Sequence, residues 1–148
     1  MNLQIPQDSE FTLQNIPFCI YESQVCSRIG DTIINLFELS YHIKELIDYR
    51  EVFDKEYLND FISLPNKDWS HVRCIIQRTF ANEFDSSLLD CMCSNIDESK
   101  FSLPVFSRTF IDGMASYHHY KNCLEVFDIH SFKECFTTSP IGYLSSSS

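Results

Sequence analysis

Asp112 and His119 are seven residues apart in a stretch, 112–122, that concentrates Asp, Met, Ser, Tyr and two adjacent histidines. If that stretch is helical, the spacing returns to nearly the same face two turns on. A carboxylate and an imidazole would then share one pocket, as metal ligand and proton acceptor. A plainer reading stays open, with Asp as a helix cap and His as a structural hydrogen-bonding residue. His118 adjoins His119, but neighbouring side chains diverge on a helix, so the two make a poor chelate. His42 and His71 fall on helical segments and read as partly exposed structural residues. His130, between Ile129 and Ser131, has no candidate partner nearby in the sequence.

Other chemistries find little support. The seven cysteines (Cys19, Cys26, Cys74, Cys91, Cys93, Cys123 and Cys135) are odd in number and irregularly spaced, which argues against a disulfide framework. Cys91-Met92-Cys93 lacks the second close pair or the nearby His of a zinc site. The thiols therefore read as small buried or partly buried side chains. The three glycines, Gly30, Gly113 and Gly142, are too far apart for a phosphate-cradling loop or a dinucleotide fingerprint. No Gly-rich elbow presents a nucleophile, and no pair stands out among the 21 acids for two-carboxylate hydrolysis.

The elements that must position these residues are those of an ordinary globular chain of 148 residues, 44% hydrophobic and 22% charged. A net charge of −10 repels nucleic acid and anionic membranes. Apolar runs fall far short of the ~20 residues a membrane span needs. The polar start, with Asp8 and Glu10, is no secretory signal, so a cytoplasmic location is expected. Phe18-Cys19-Ile20-Tyr21 and Thr32 to Leu36 read as strands, with residues 27–31 as a turn. Ser40 is placed as the cap of a helix from Tyr41, and Asp54 as the start of a short helix carrying Tyr57, Leu58, Phe61 and Ile62. Asp68 is placed as the cap of a clearer helix that buries Trp69, Val72, Ile75, Ile76 and Phe80. A short helix follows Asp85 and carries Leu88, Leu89 and Met92. Leu103-Pro104-Val105-Phe106 reads as extended. The expected core includes Phe11, Phe18, Ile34, Leu36, Trp69, Val72 and Ile76.

Asp8-Ser9-Glu10-Phe11, followed by Gln14-Asn15-Ile16-Pro17-Phe18, resembles the opening of the fumarylacetoacetase family. Ile29-Gly30-Asp31, Leu39-Ser40, Val52-Phe53 and Leu58-Asn59-Asp60-Phe61 resemble its next stretch. Trp69, Arg73 and Gln77 fit the same pattern. Leu103-Pro104, Phe110, Asp112, Ser116 and His119 resemble the family's entry into its active site, and Pro140-Ile141-Gly142-Tyr143 resembles a later segment. The order is collinear over roughly residues 3–143.

The resemblance implies an α+β fold. A small SH3-like β-barrel domain with short helices would occupy residues 1–100, and an incomplete β-rich hydrolase-domain start 101–148. It implies metal-dependent hydrolysis of the carbon–carbon bond of 4-fumarylacetoacetate to fumarate and acetoacetate, in tyrosine and phenylalanine catabolism. Asp112 would ligate Ca or Mg, His119 would be the general base, and Tyr143 would contact substrate. Met114 stands where the family has a substrate-contacting Tyr, and Asp128 where it has a substrate-contacting Arg. The stretch around Arg28-Ile29-Gly30 is several residues short of the family's, which would cost the barrel part of a strand. The other metal ligands are expected beyond this chain, so the chain alone is expected to be inactive and not to bind the metal tightly. The implied partners are a small diketo acid and either a second copy or the missing hydrolase domain. The alternative is a non-catalytic interaction domain or remnant that packs against a partner. Phe101, Phe106, Phe110, Phe127, Phe132 and Phe136 would then form an apolar surface for that partner to cover.

Overall fold

The computed structural model describes residues 3, 5–114, 116–131, 133–134 and 141–146. The chain is α+β and divides into two compact units, Met1–Phe106 and Ser107–Ser148.

The first unit is built on three strands in sequence: β1 (Phe18–Tyr21), β2 (Gln24–Ile29) and β3 (Thr32–Asn35). Two short strands, β4 (Met92–Cys93) and β5 (Phe101–Ser102), complete an antiparallel five-stranded sheet of order β4-β3-β2-β1-β5. The sheet is open, where a closed SH3-like barrel was expected. β4 and β5 are its two edges, and at two residues each they offer few ladder bonds for closure.

The 27–31 turn needs correction. β2 runs through Ser27, Arg28 and Ile29, and only Gly30 and Asp31 turn, pairing Ile29 with Thr32. Gly30 has φ 57°, so the first central residue is left-handed, as a type II′ hairpin requires. The β1–β2 hairpin turns at Glu22 (φ 50°) and Ser23 (φ 61°), which have neither Gly nor Asn to ease the left-handed backbone. Long-range contacts hold this turn: the Glu22 amide donates to the Lys100 carbonyl (3.1 Å), and Lys100 Nζ pairs with the Glu22 carboxylate.

The two-residue period of the strands separates two faces. Ile20, Val25, Ile29 and Ile34 enter the main core. Tyr21, Cys26 and Ile33 form a smaller cluster on the opposite face, with Cys19, Cys93, Ile96 and Phe101 packed around it. Ser27 is fully buried on the core face, and its hydroxyl donates to the Pro17 carbonyl (3.0 Å).

Helix α1 (Leu36–His42) begins earlier than expected. Its cap is Asn35, whose side chain accepts the Glu38 amide, and not Ser40. Ser40 is buried inside the helix and receives Arg50 Nε (3.0 Å). A 3₁₀ turn (Lys44–Tyr49) leads into α2 (Arg50–Phe53), which Asp54 ends, so Asp54 does not start the next helix. That helix, α3 (Asn59–Ile62), is one turn long.

Helix α4 (Asn66–Phe80) starts after Pro65, so Asp68 lies in its first turn and is not its cap. There Asp68 accepts the Tyr49 hydroxyl (3.0 Å), which also lies 3.1 Å from His71 Nδ1. Val72, Ile75, Ile76 and Phe80 are buried as expected. Trp69 is half-buried: its ring packs on the core while Nε1 donates to the Phe61 carbonyl (2.8 Å). Phe18 and Phe11 are half-buried as well, Phe18 against Phe61 and Phe11 beneath the Arg28 guanidinium. The helix after Asp85 is a 3₁₀ turn (Ser86–Cys91), and a further 3₁₀ turn (Glu98–Lys100) leads into β5. Residues 103–106 are pinned along α3: the Leu58 amide donates to Pro104, and the Asn59 side chain holds both the amide and the carbonyl of Phe106.

The second unit contains β6 (Thr109–Met114), α5 (Tyr117–Val126) and β7 (Ile141–Ser146), with β6 and β7 paired antiparallel. Of the expected apolar surface, Phe101 is half-buried against Tyr21, whereas Phe106, Phe110 and Phe127 are exposed. Phe132 and Phe136 lie outside the described residues. Among the described residues no helix is long and apolar enough to cross a membrane.

Two outcomes follow. Ile34→Ala empties a fully buried site in the main core and should lower unfolding free energy by about 2–5 kcal/mol in urea denaturation. Ser23→Gly relieves a left-handed position and should raise it by about 0.5–1 kcal/mol by the same measurement.

Candidate functional site

β6 is rich in β-prone residues where it begins, Thr109-Phe110-Ile111, and the chain re-enters helix only after Ser116. The Ser116 hydroxyl accepts the His119 amide (3.4 Å), a side-chain cap that starts α5 just before Tyr117. The single-helix arrangement of Asp112 and His119 is therefore wrong. Asp112 is on a strand and His119 is in the first turn of a helix, so the two-turn spacing does not bring them to one face.

The ladder aligns other candidates. Asp112 is the Cα partner of Tyr143, Gly113 of Gly142, and Met114 of Ile141. The backbone thus sets the metal-ligand candidate opposite one substrate-contacting candidate, with the second two residues further along β6.

His119 is exposed, and its Nε2 lies 3.7 Å from Cys123 Sγ one helical turn on. Sequence reasoning missed Cys123. The signal was available in the i, i+4 spacing, which puts side chains side by side on a helix.

Asp128 has a local structural task. It follows α5 with φ 53°, donates its amide to the Glu125 carbonyl (3.3 Å), and precedes Ile129, whose amide reaches back to Leu124 (2.8 Å). This bond pair is a Schellman motif, with Asp128 in the left-handed position that Gly usually takes. The exposed Asp128 carboxylate lies 3.2 Å from His130 Nε2, which corrects the expectation that His130 has no partner nearby in the sequence. Asp tolerates that backbone through local hydrogen bonding, whereas a long side chain gains nothing there.

Among the described residues no group of three or more His, Cys, Asp or Glu side chains converges to hold a metal ion. Hard cations such as Ca and Mg take about six or more oxygen ligands.

Residues 14–104, the span from before β1 to the strap along α3, match the family model described as fumarylacetoacetase N-terminal. The chain belongs to that family. Asp112, Met114, His119, Asp128 and Tyr143 all lie beyond the matched segment. A fumarylacetoacetase from Caenorhabditis elegans is 26% identical over 133 residues, covering 81% of this chain and 32% of that protein. One from Dictyostelium discoideum is 30% identical over 91 residues, covering 55% and 21%. One from Arabidopsis thaliana is 23% identical over 135 residues, covering 82% and 32%. The chain spans about a third or less of the length of these relatives.

His119 owes its place to the start of α5. Ser116→Ala removes the cap and should weaken the helix by about 0.5–2 kcal/mol. Faster amide exchange at Tyr120 and Lys121, with Ile76 in α4 unchanged, is the expected result.

Proposed function

We propose that this chain is the N-terminal part of a fumarylacetoacetase-type hydrolase. The reaction served is metal-dependent hydrolysis of the carbon–carbon bond of 4-fumarylacetoacetate, in tyrosine and phenylalanine catabolism. The match over residues 14–104 carries this reading, and relatives bearing that name support it. Residues 1–100 would form the family's SH3-like domain, and 101–148 the start of the hydrolase domain. A cytoplasmic location and either a homo-oligomer or a separate hydrolase domain as partner belong to the same proposal.

In this reading Asp112 supplies one oxygen ligand to Ca or Mg. The remaining ligands would come from outside this chain, as the resemblance implies, because one carboxylate falls short of the roughly six or more oxygens a hard cation takes. The metal, when bound, supplies positive charge to the diketone oxygens. His119 takes a proton from water, a task suited to a neutral imidazole near pH 7. It is exposed, and its Nε2 already faces the Cys123 thiol, leaving Nδ1 as the other proton-accepting position. Tyr143, the ladder partner of Asp112, would hydrogen-bond the substrate. Met114 brings no hydroxyl to this task, and Asp128 repels a carboxylate substrate that an Arg would attract.

A second reading, a non-catalytic domain that packs against a partner, is favoured by the outward apolar side chains of the second unit. Ile111 is 76%, Val126 78% and Phe127 70% exposed.

Calorimetric titration of the isolated chain with Ca and Mg should give no micromolar binding, and a substrate-depletion assay should give no turnover. Joined to the hydrolase portion of the Caenorhabditis elegans relative, the chain should support turnover that His119→Ala lowers by about 10²–10⁴-fold. A well-folded chimera with no turnover, even after Met114→Tyr and Asp128→Arg, would favour the packing domain.

A further inference from the structure

Helix α5 holds an imidazole against a thiol: Cys123 Sγ lies 3.7 Å from His119 Nε2. The pair is one helical turn apart, and its backbone is fixed by the Ser116 cap at one end and the Schellman motif at the other. His119 is exposed and Cys123 half-buried, so a small reagent reaches both from solvent. A base within hydrogen-bond reach of a thiol raises the supply of thiolate, the form that attacks electrophiles.

We propose that Cys123 is a nucleophilic modification site, with His119 as its base, for soft carbon electrophiles of the electron-poor alkene class. His119 Nε2 takes the thiol proton. The sulfur then forms an S–C bond to the β-carbon of the alkene as the C=C π bond breaks. The π electron pair moves to the carbon beside the carbonyl, and the imidazolium returns the proton there. The net change is addition of S–H across the double bond, with no oxidant, reductant or leaving group.

The other described thiols are placed differently. Burial pushes Cys19 and Cys91 up to about 11 and Cys26 up to about 12, which keeps them protonated near neutral pH. Cys93 is half-buried and donates to the Asn95 carbonyl (3.6 Å). Cys74 is exposed on α4, where His71, three residues before it, meets the Tyr49 hydroxyl through Nδ1. Cys74 therefore separates mere exposure from activation by a base. The proposal needs only the thiol–imidazole pair and stands apart from the hydrolase reading.

The test is time-resolved labelling of the full chain with N-ethylmaleimide at neutral pH, read by peptide mass mapping. A Cys135→Ser background is used because Cys135 lies outside the described residues. Cys123 should be labelled ahead of Cys74. His119→Gln should slow Cys123 by about ten-fold through loss of the proton acceptor, and leave Cys74 unchanged. His118→Gln, one residue off the i, i+4 spacing, should change neither. Unwinding of α5 would expose Cys123 and speed its labelling, so a slower rate cannot come from lost structure. Labelling of Cys123 no faster than Cys74 would overturn the proposal, as would a His119→Gln rate that is unchanged or higher.

Discussion

The burial of one face of α4 and one face of the sheet in a single apolar cluster is the interaction on which the first unit depends. Val72, Ile75, Ile76 and Phe80 recur at helical spacing, and Ile20, Val25, Ile29 and Ile34 recur at strand spacing; both sets are buried in one cluster. Neither surface is stable in water alone. An isolated 15-residue helix is marginal, and a sheet with two-residue edge strands has little ladder to hold it. The short helical pieces between α1 and α3 fill the remaining sides with Leu39, Leu46, Phe53 and Phe61. Their contribution is burial and not helix strength, because one-turn helices do not persist without tertiary contacts. Side chains meet amides left open at the starts of α1 and of two later 3₁₀ turns: Asn35 accepts at α1, Asp85 at Ser86–Cys91 and Asp97 at Glu98–Lys100.

Much of this was legible in the residues. The α4 face follows from its period, and β1 and β3 follow from their β-prone runs. What was missed has a common cause in the scarcity of glycine. With three in the chain, left-handed positions fall to Glu22, Ser23 and Asp128, where the glycine that usually marks such a position is missing. β2 was lost because its hairpin turns at Glu22-Ser23, while the visible Gly30 drew the expected turn too far back along the strand. The start of α1 was lost because Thr-Ile-Ile-Asn-Leu reads as unbroken strand. The Asn that caps the helix is also the last residue of β3. Trp69 was expected on the buried face of α4; it is half-buried, with its ring on the core and its indole N–H donating to the Phe61 carbonyl.

The candidate site was less legible than the fold because its residues were read through one assumed element. A seven-residue spacing carries meaning only if all seven residues are helical, and here a strand ends and a helix begins between Asp112 and His119. Resemblance named those positions without that geometry. Asp128 shows the same limit from the other side: its identity is explained by the left-handed end of α5 before any substrate is considered.

The change from strand to helix has a chemical consequence for His119. A helix guarantees that the nearest side-chain neighbours are those three and four residues away, whatever lies elsewhere in the fold. For His119 that neighbour is the Cys123 thiol, within reach of Nε2. A nitrogen that exchanges a proton with sulfur is not at the same moment free to take one from water. Hydrolytic use of His119 therefore requires either Nδ1 as the acceptor or a rotation that moves Nε2 away from sulfur. Nucleophilic use of Cys123 requires no movement at all. The two chemistries draw on one imidazole, and the backbone of α5 already favours the one that needs no further part of the fold.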